Sequence, residues 1–218
     1  MSDSTQGPAR SKLRRVPKQE RSRERIDEIL KVSMDLIGRK GIDAVTMKEI
    51  AALSGGPIAS VYQYFPNKSA IVAMLYERYA EEVLGLVMEC TSGVENREDA
   101  FRAVEDLFEN YFQAVRGNPP LQDLINAIQA DKTLSDMDIA HSRIHSRIFI
   151  EATRNFVPEP LHEQYGRSVF LMFHLAVGAV RLALLVGEGE AALVIADFKN
   201  CAKVQLSQFI EGSFPDFG

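Results

Sequence analysis

The sequence has no tryptophan, only two cysteines, and no segment in which apolar and polar residues alternate as they do along a half-buried strand. Each shortage excludes something. Cys90 and Cys201 are too few for a disulfide framework and read as thiols of a reducing compartment, so packing has to hold the fold. Without strand alternation, the expectation is an all-α chain. A glycine-rich phosphate loop, a GxSxG nucleophile elbow and a Cys/His cluster at metal spacing are all missing, so neither catalysis nor a cofactor or metal finds support. The first residues are polar and basic without the apolar run of a secretory signal, and the expected location is cytoplasmic.

What is present is ordinary in amount and uneven in place. Hydrophobic residues make up 46% and charged residues 25%, with a formal net charge of −5. Residues 1–68 carry 13 Lys/Arg against 8 Asp/Glu, whereas residues 69–218 carry 12 against 22. A basic end on an acidic body suits a phosphate-facing head, although charge also divides unevenly by chance. Residues 1–20 lack apolar periodicity and contain Gly7, Pro8 and Pro17, so they are expected to form a disordered arm. Its basic side chains, Arg10, Lys12, Arg14, Arg15 and Lys18 among them, make it either a solvated tail or a contact to phosphates or the minor groove.

Residues 46–68, TMKEIAALSGGPIASVYQYFPNK, are the most informative stretch. Thr46 stands three residues before Glu49, the spacing of a reciprocal helix cap. Met47, Ile50 and Ala51 then share one face of a short helix, which Gly55 and Gly56 break. Pro57 suits the first turn of a second helix, because its missing N–H would be unpaired there anyway. That helix is expected to bury Val61 and Phe65, to turn Ser60, Gln63 and Tyr64 outward, and to end at Pro66-Asn67. Upstream, Ile26, Ile29, Leu30, Ser33, Leu36 and Ile37 recur at helical spacing from Arg23 until Gly41. Two short helices around a tight turn, propped by a third, form the geometry that delivers a helix into a major groove.

This stretch resembles the DNA-binding domain of the TetR family of bacterial transcriptional regulators. The likeness is densest at Thr46, Ile50, Ala51, Gly55, Val61, Tyr62, Tyr64, Phe65 and Lys68, and covers residues 24 to 72. It implies a helix-turn-helix domain over residues 21–68 and a larger helical ligand-binding and dimerisation domain over residues 69–218. By the same resemblance, Thr46 and Lys48 lie at the DNA-facing start of the first motif helix, and Ser60, Tyr64 and Lys68 match phosphate-contacting positions. Tyr62 matches a tyrosine whose hydroxyl faces the DNA. Lys48 can donate to guanine O6/N7 and Gln63 can pair with adenine, while Ile58 and Ala59 can meet thymine methyls. Three positions depart from the family pattern. Gly56 stands where an apolar residue, often Val, is usual; Pro57 replaces a polar capping residue; and Ile58 replaces a polar or basic one.

The remaining chain reads as helices over about 69–89, 101–116, 121–131, 135–156, 161–186 and a last one ending near Glu211. Aromatics on separate helices, Phe101, Phe108, Tyr111, Phe112, Phe149, Phe170 and Phe173, are core by default and together could line an apolar ligand cavity. His174 and Arg181 are polar intruders in the apolar run 169–186 and are candidate ligand contacts; an internal ion pair is the blander reading of Arg181. The same run is long enough to raise a membrane helix, but an Arg within it argues for a soluble helix, covered by its own core and by a partner subunit. Asp138, His141 and His145 could lie along one helix face, and with Ser142, Arg143, Ser146 and Arg147 as polar neighbours a solvated face is the default there over a metal site. Ala176, Gly178, Ala179 and Ala183 would let a second helix approach closely. The family resemblance implies a homodimer through the last two helices.

The expected function is therefore a regulator binding a palindromic double-stranded operator as a dimer, most simply a repressor released by a largely apolar small molecule. An activator of the same fold, a ligand-dependent binder, and an interaction module with a vestigial head are the alternatives.

Overall fold

Caps and glycines punctuate the chain where the sequence places them. The computed structural model describes residues 18–128 and 131–210, and among these all regular structure is helical. The order is α1 (Lys18–Lys40), α2 (Met47–Leu53), α3 (Ile58–Tyr62), α4 (Lys68–Thr91), α5 (Arg97–Arg116), α6 (Pro119–Ile128), α7 (Lys132–Thr153), α8 (His162–Leu185) and α9 (Glu188–Ile210). Two short 3-10 turns, Arg154–Phe156 and Glu159–Leu161, join α7 to α8.

Four helix starts are built from side-chain acceptors that satisfy otherwise orphaned N–H groups. Thr46 and Glu49 form the reciprocal cap of α2. Asn67 accepts from Ala70 N at the start of α4, Asn96 from Asp99 N at α5, and Asp131 from Leu134 N at α7. Gly41 and Gly55 follow α1 and α2 with φ of 76° and 73°, a left-handed backbone that a Cβ disfavours.

Helices α1 to α3 close around Ile29, Leu30, Ile37, Val45, Ile50, Val61 and Phe65, all buried. From this head α4 runs into a body in which it packs on α5 and α7, and α8 packs on α7 and α9. The head touches the body a second time where α1 crosses α6. There Gly38 lies so close to Pro120 that an added Cβ would stand 2.5 Å from the proline Cγ.

Three expectations need correction. Helix α1 starts at Lys18 rather than Arg23, so the last residues of the supposed arm are helical; the rest of the arm lies outside the described residues. Helix α3 spans only five residues, with Pro57 as its N-cap and Phe65 buried just beyond its end. Finally, the chain's own core covers only part of α8, burying Tyr165, Val169, Val180 and Ala183. The segment Glu159–Leu185 is long and apolar enough to cross a membrane, yet only 17% of its most apolar window is buried within one protomer.

Candidate DNA interface and effector cavity

One face of the head carries most of the side chains expected to meet DNA. Thr46, Lys48, Ile58, Ala59, Tyr62 and Gln63 are all exposed, although Ile58 and Tyr62 are large enough that folding would ordinarily hide more of them. Glu49, which closes the α2 cap, also pairs with Lys40 Nζ at 2.6 Å. The Lys40 and Thr46 hydrogen bonds hold its carboxyl down at about 2, so the cap stays ionised.

The three expected phosphate contacts are less free than the sequence suggests. Ser60 is half-buried and its Oγ accepts from Arg25 Nε at 3.0 Å. Tyr64 is half-buried too, its hydroxyl 3.5 Å from Ser22 Oγ. The Lys68 ammonium donates to the carbonyls of Ile42 (2.7 Å) and Asp43 (3.2 Å), fastening α4 to the loop ahead of α2. Arg25, expected among the positive charges of the basic arm, instead lies within α1 and turns inward, where it accounts for the unusual Gly56. Its guanidinium donates to Ser54 O, Ser54 Oγ and Ser60 Oγ, and a Cβ at Gly56 would lie 2.8 Å from Arg25 Nη2. The space of the missing apolar side chain is filled by a charged one.

In the body, α4, α5, α7, α8 and α9 line a cavity of about 120 Å³. Phe108, Tyr111, Phe149 and Phe173 line it as expected, joined by Tyr76, Tyr79, Tyr165, Phe198 and Phe209. Its polar end holds Asp138, His141, Ser142 and His145. Tyr76 donates its hydroxyl to Asp138 Oδ1 at 3.2 Å, the Tyr79 and Tyr111 hydroxyls bond each other at 2.7 Å, and His145 Nε2 donates to Ala80 O at 3.0 Å. Burial sets the protonation of these groups: it pushes Tyr111 up to about 12, Tyr76, Tyr79 and Asp138 upward, and His145 down to about 4, so the His145 ring is neutral.

This polar end corrects the reading of Asp138, His141 and His145 as a solvated face. Asp138, Ser142, His145 and Ser146 are buried. The signal was available: Leu134, Asp138, Ser142, His145 and Phe149 follow one another at three- and four-residue steps, one continuous inward stripe whose small serines leave room for the cavity. Tyr76 and Tyr79, which no sequence motif marks, reach the cavity because α4 packs on both α5 and α7. Five of the residues expected at the cavity, Phe101, Phe112, Phe170, His174 and Arg181, do not line it, and the Phe170 ring centroid instead lies 4.4 Å from the Arg143 guanidinium carbon. Phe112 packs in the core under Arg116, whose guanidinium carbon is 5.9 Å from the ring centroid. Arg181 Nε donates to Asn126 Oδ1 at 3.0 Å, so its partner is an amide and not a carboxylate. His174 stands behind the cavity, with Nδ1 3.8 Å from Asp138 Oδ2. No three-residue group of metal-capable side chains occurs among the described residues.

A helix-turn-helix head on a helical body with an apolar cavity is the architecture of a DNA-binding regulator. A family model for bacterial regulatory proteins of the tetR family matches residues 29–75, and one for the tetracyclin repressor-like C-terminal domain matches residues 98–210. The chain belongs to the TetR family of transcriptional regulators. Among solved structures it is similar to SmeT, the repressor of the Stenotrophomonas maltophilia multidrug efflux pump SmeDEF, at 14% identity and a TM-score of 0.66, covering 88% of this chain and 94% of that one. A SmeT–triclosan complex matches at 14% identity and 0.65, covering 89% and 96%. A TetR-family regulator from Streptomyces coelicolor matches at 21% identity and 0.64, covering 86% and 98%. No curated protein matches the chain significantly.

Proposed function

We propose that the protein is a cytoplasmic repressor that binds a palindromic operator as a homodimer and is released when a largely apolar small molecule enters the body. The observation that carries this reading is the sharing of α4. The same helix contributes Tyr76, Tyr79, Ala80, Val83 and Val87 to the cavity and fastens the head through Lys68 and the Arg78–Asp27 ion pair. A ligand that binds one orientation of α4 better than another would shift the head by that difference in affinity.

Dimerisation is supported by what α8 and α9 leave bare. Leu171, Leu175, Leu182 and Leu185 form one exposed stripe on α8, and Leu193 and Val204 lie exposed on α9. A contiguous apolar face of this kind marks an interaction surface. A second copy is a better occupant than lipid, because Arg181 and His174 interrupt the run and Arg181 is anchored to Asn126. A twofold dimer presents two heads to two half-sites.

Selection of bound duplexes from a random DNA library at near-physiological salt tests the reading. A recovered palindrome is the expected result. A folded dimer that enriches no sequence with or without candidate ligands would overturn it in favour of an interaction module. Promoter position of the recovered site would separate repression from activation.

A further inference from the structure

The cavity's charge inventory is one-sided. Among the described residues lining it there is no lysine or arginine, and Asp138 is the one carboxylate. Asp138 is 8% exposed and receives a single hydrogen bond, from Tyr76 to Oδ1. Its other oxygen faces His174 Nδ1 across 3.8 Å, too far for a hydrogen bond, and that buried nitrogen has no partner either. The second nearby imidazole, His141, is turned to Glu77 at 3.1 Å, and His145 is engaged by Ala80 O. Asp138 therefore has spare acceptor capacity, and the groups nearest it that can carry positive charge are the imidazoles of His174 and His141, with no lysine or arginine among the lining residues.

The rest of the wall suits the same kind of guest. The rings of Tyr76, Tyr79 and Tyr111 stand around the acid, and aromatic faces attract cations. Farther in, Phe108 stacks on Phe198 with centroids 4.4 Å apart and Phe149 meets Phe173 edge-on at 6.0 Å, so the guest's body would be apolar and flat or slender. A carboxylate or phosphate guest would find repulsion from Asp138 and no lysine or arginine among the lining residues.

We propose that the effector is a lipophilic amine, its ammonium bound by the Asp138 carboxylate beside Tyr76 and its apolar body among the phenylalanines. The assignment rests on the effector reading above and narrows it from apolar molecules in general to hydrophobic cations. An ammonium at Asp138 would compete with the Tyr76 hydroxyl for the carboxylate, which puts the contact directly on α4.

The test is isothermal titration calorimetry of the full chain with phenylbutylamine, phenylbutanol and phenylbutyrate, which share one body and differ in charge. The amine is expected to bind about tenfold or more tighter than the alcohol, and the carboxylate weakest. In Asp138→Asn, whose amide oxygen can still accept from Tyr76, the amine should lose its advantage while the alcohol still binds. Equal binding of amine and alcohol to the unaltered protein, tighter binding of the carboxylate, or no binding of any of the three would overturn the proposal without need of the variant. An amine preference that survives Asp138→Asn would overturn it too. The effector reading is judged separately, by the affinity for the selected operator with and without phenylbutylamine. Amine binding that leaves operator affinity unchanged sinks that reading and keeps the amine site.

Discussion

Lys48 and Gln63 project freely from the head, whereas Lys68 is turned onto two carbonyls and Tyr64 leans on Ser22; that difference sorts their expected effects. Lys48→Ala or Gln63→Ala should cost about 1–3 kcal/mol of discrimination between operator and random duplex. Tyr64→Ala and Lys68→Ala should weaken both duplexes alike. Competition binding checks this, and equal losses on both duplexes for all four variants would refute the division. The cavity residues make a pH prediction. His145 is neutral in the native state down to about 4, whereas an unfolded histidine takes up its proton near 6.5. The unfolded chain thus binds more protons between those values, and stability should fall as pH drops through that window. Asp138 acts with the opposite sign: burial raises its native pKa, so its charge destabilises the fold at neutral pH and the penalty lifts on acidification. Urea unfolding at pH 7 and 5 should show a smaller acid loss in His145→Gln, which can still donate to Ala80 O, and a gain in neutral stability in Asp138→Asn.

Among the helices, those bounded by local chemistry were the ones legible in the sequence. The Thr46–Glu49 cap, Gly41 and Gly55 act within four residues of themselves, so the spacing alone gives them away. Contacts made across the chain were not legible. Nothing near Gly56 in sequence announces that Arg25, some thirty residues earlier, fills its place, and nothing near Asp138 announces that Tyr76 will cover it. Gly56→Val would displace the Arg25 guanidinium from Ser54 and Ser60, and the lost hydrogen bonds should lower stability by about 1–3 kcal/mol. In an Arg25→Ala background the same change should cost less, a coupling that a double-mutant cycle with thermal unfolding would reveal. Gly38→Ala is a different case, because the opposing Pro120 ring cannot swing aside. It should push α1 off α6 and change operator affinity more than it changes effector binding.

On the proposed reading, the whole molecule is one half of a dimer. Its sequence showed an apolar run over residues 169–186, but a run of leucines reads the same whether its own fold or a copy covers it. Only the packing reveals that one protomer leaves Leu185 80% exposed and Leu182 51%. Leu182→Glu should therefore yield monomers by sedimentation velocity, with the cavity intact and operator binding lost because two half-sites no longer act together.

Lever arithmetic gives the shared helix a scale. From Val87, the deepest cavity residue on α4, to Lys68 is 19 residues, about 28 Å at 1.5 Å per residue. A tilt of roughly 5° about the Val87 end would carry the Lys68 end about 2.5 Å, close to the length of a hydrogen bond. Each head would move by that amount, in senses related by the dimer twofold. In the proposed dimer, a guest that tilts α4 by this amount would put both recognition helices out of phase with a groove repeat of about 34 Å.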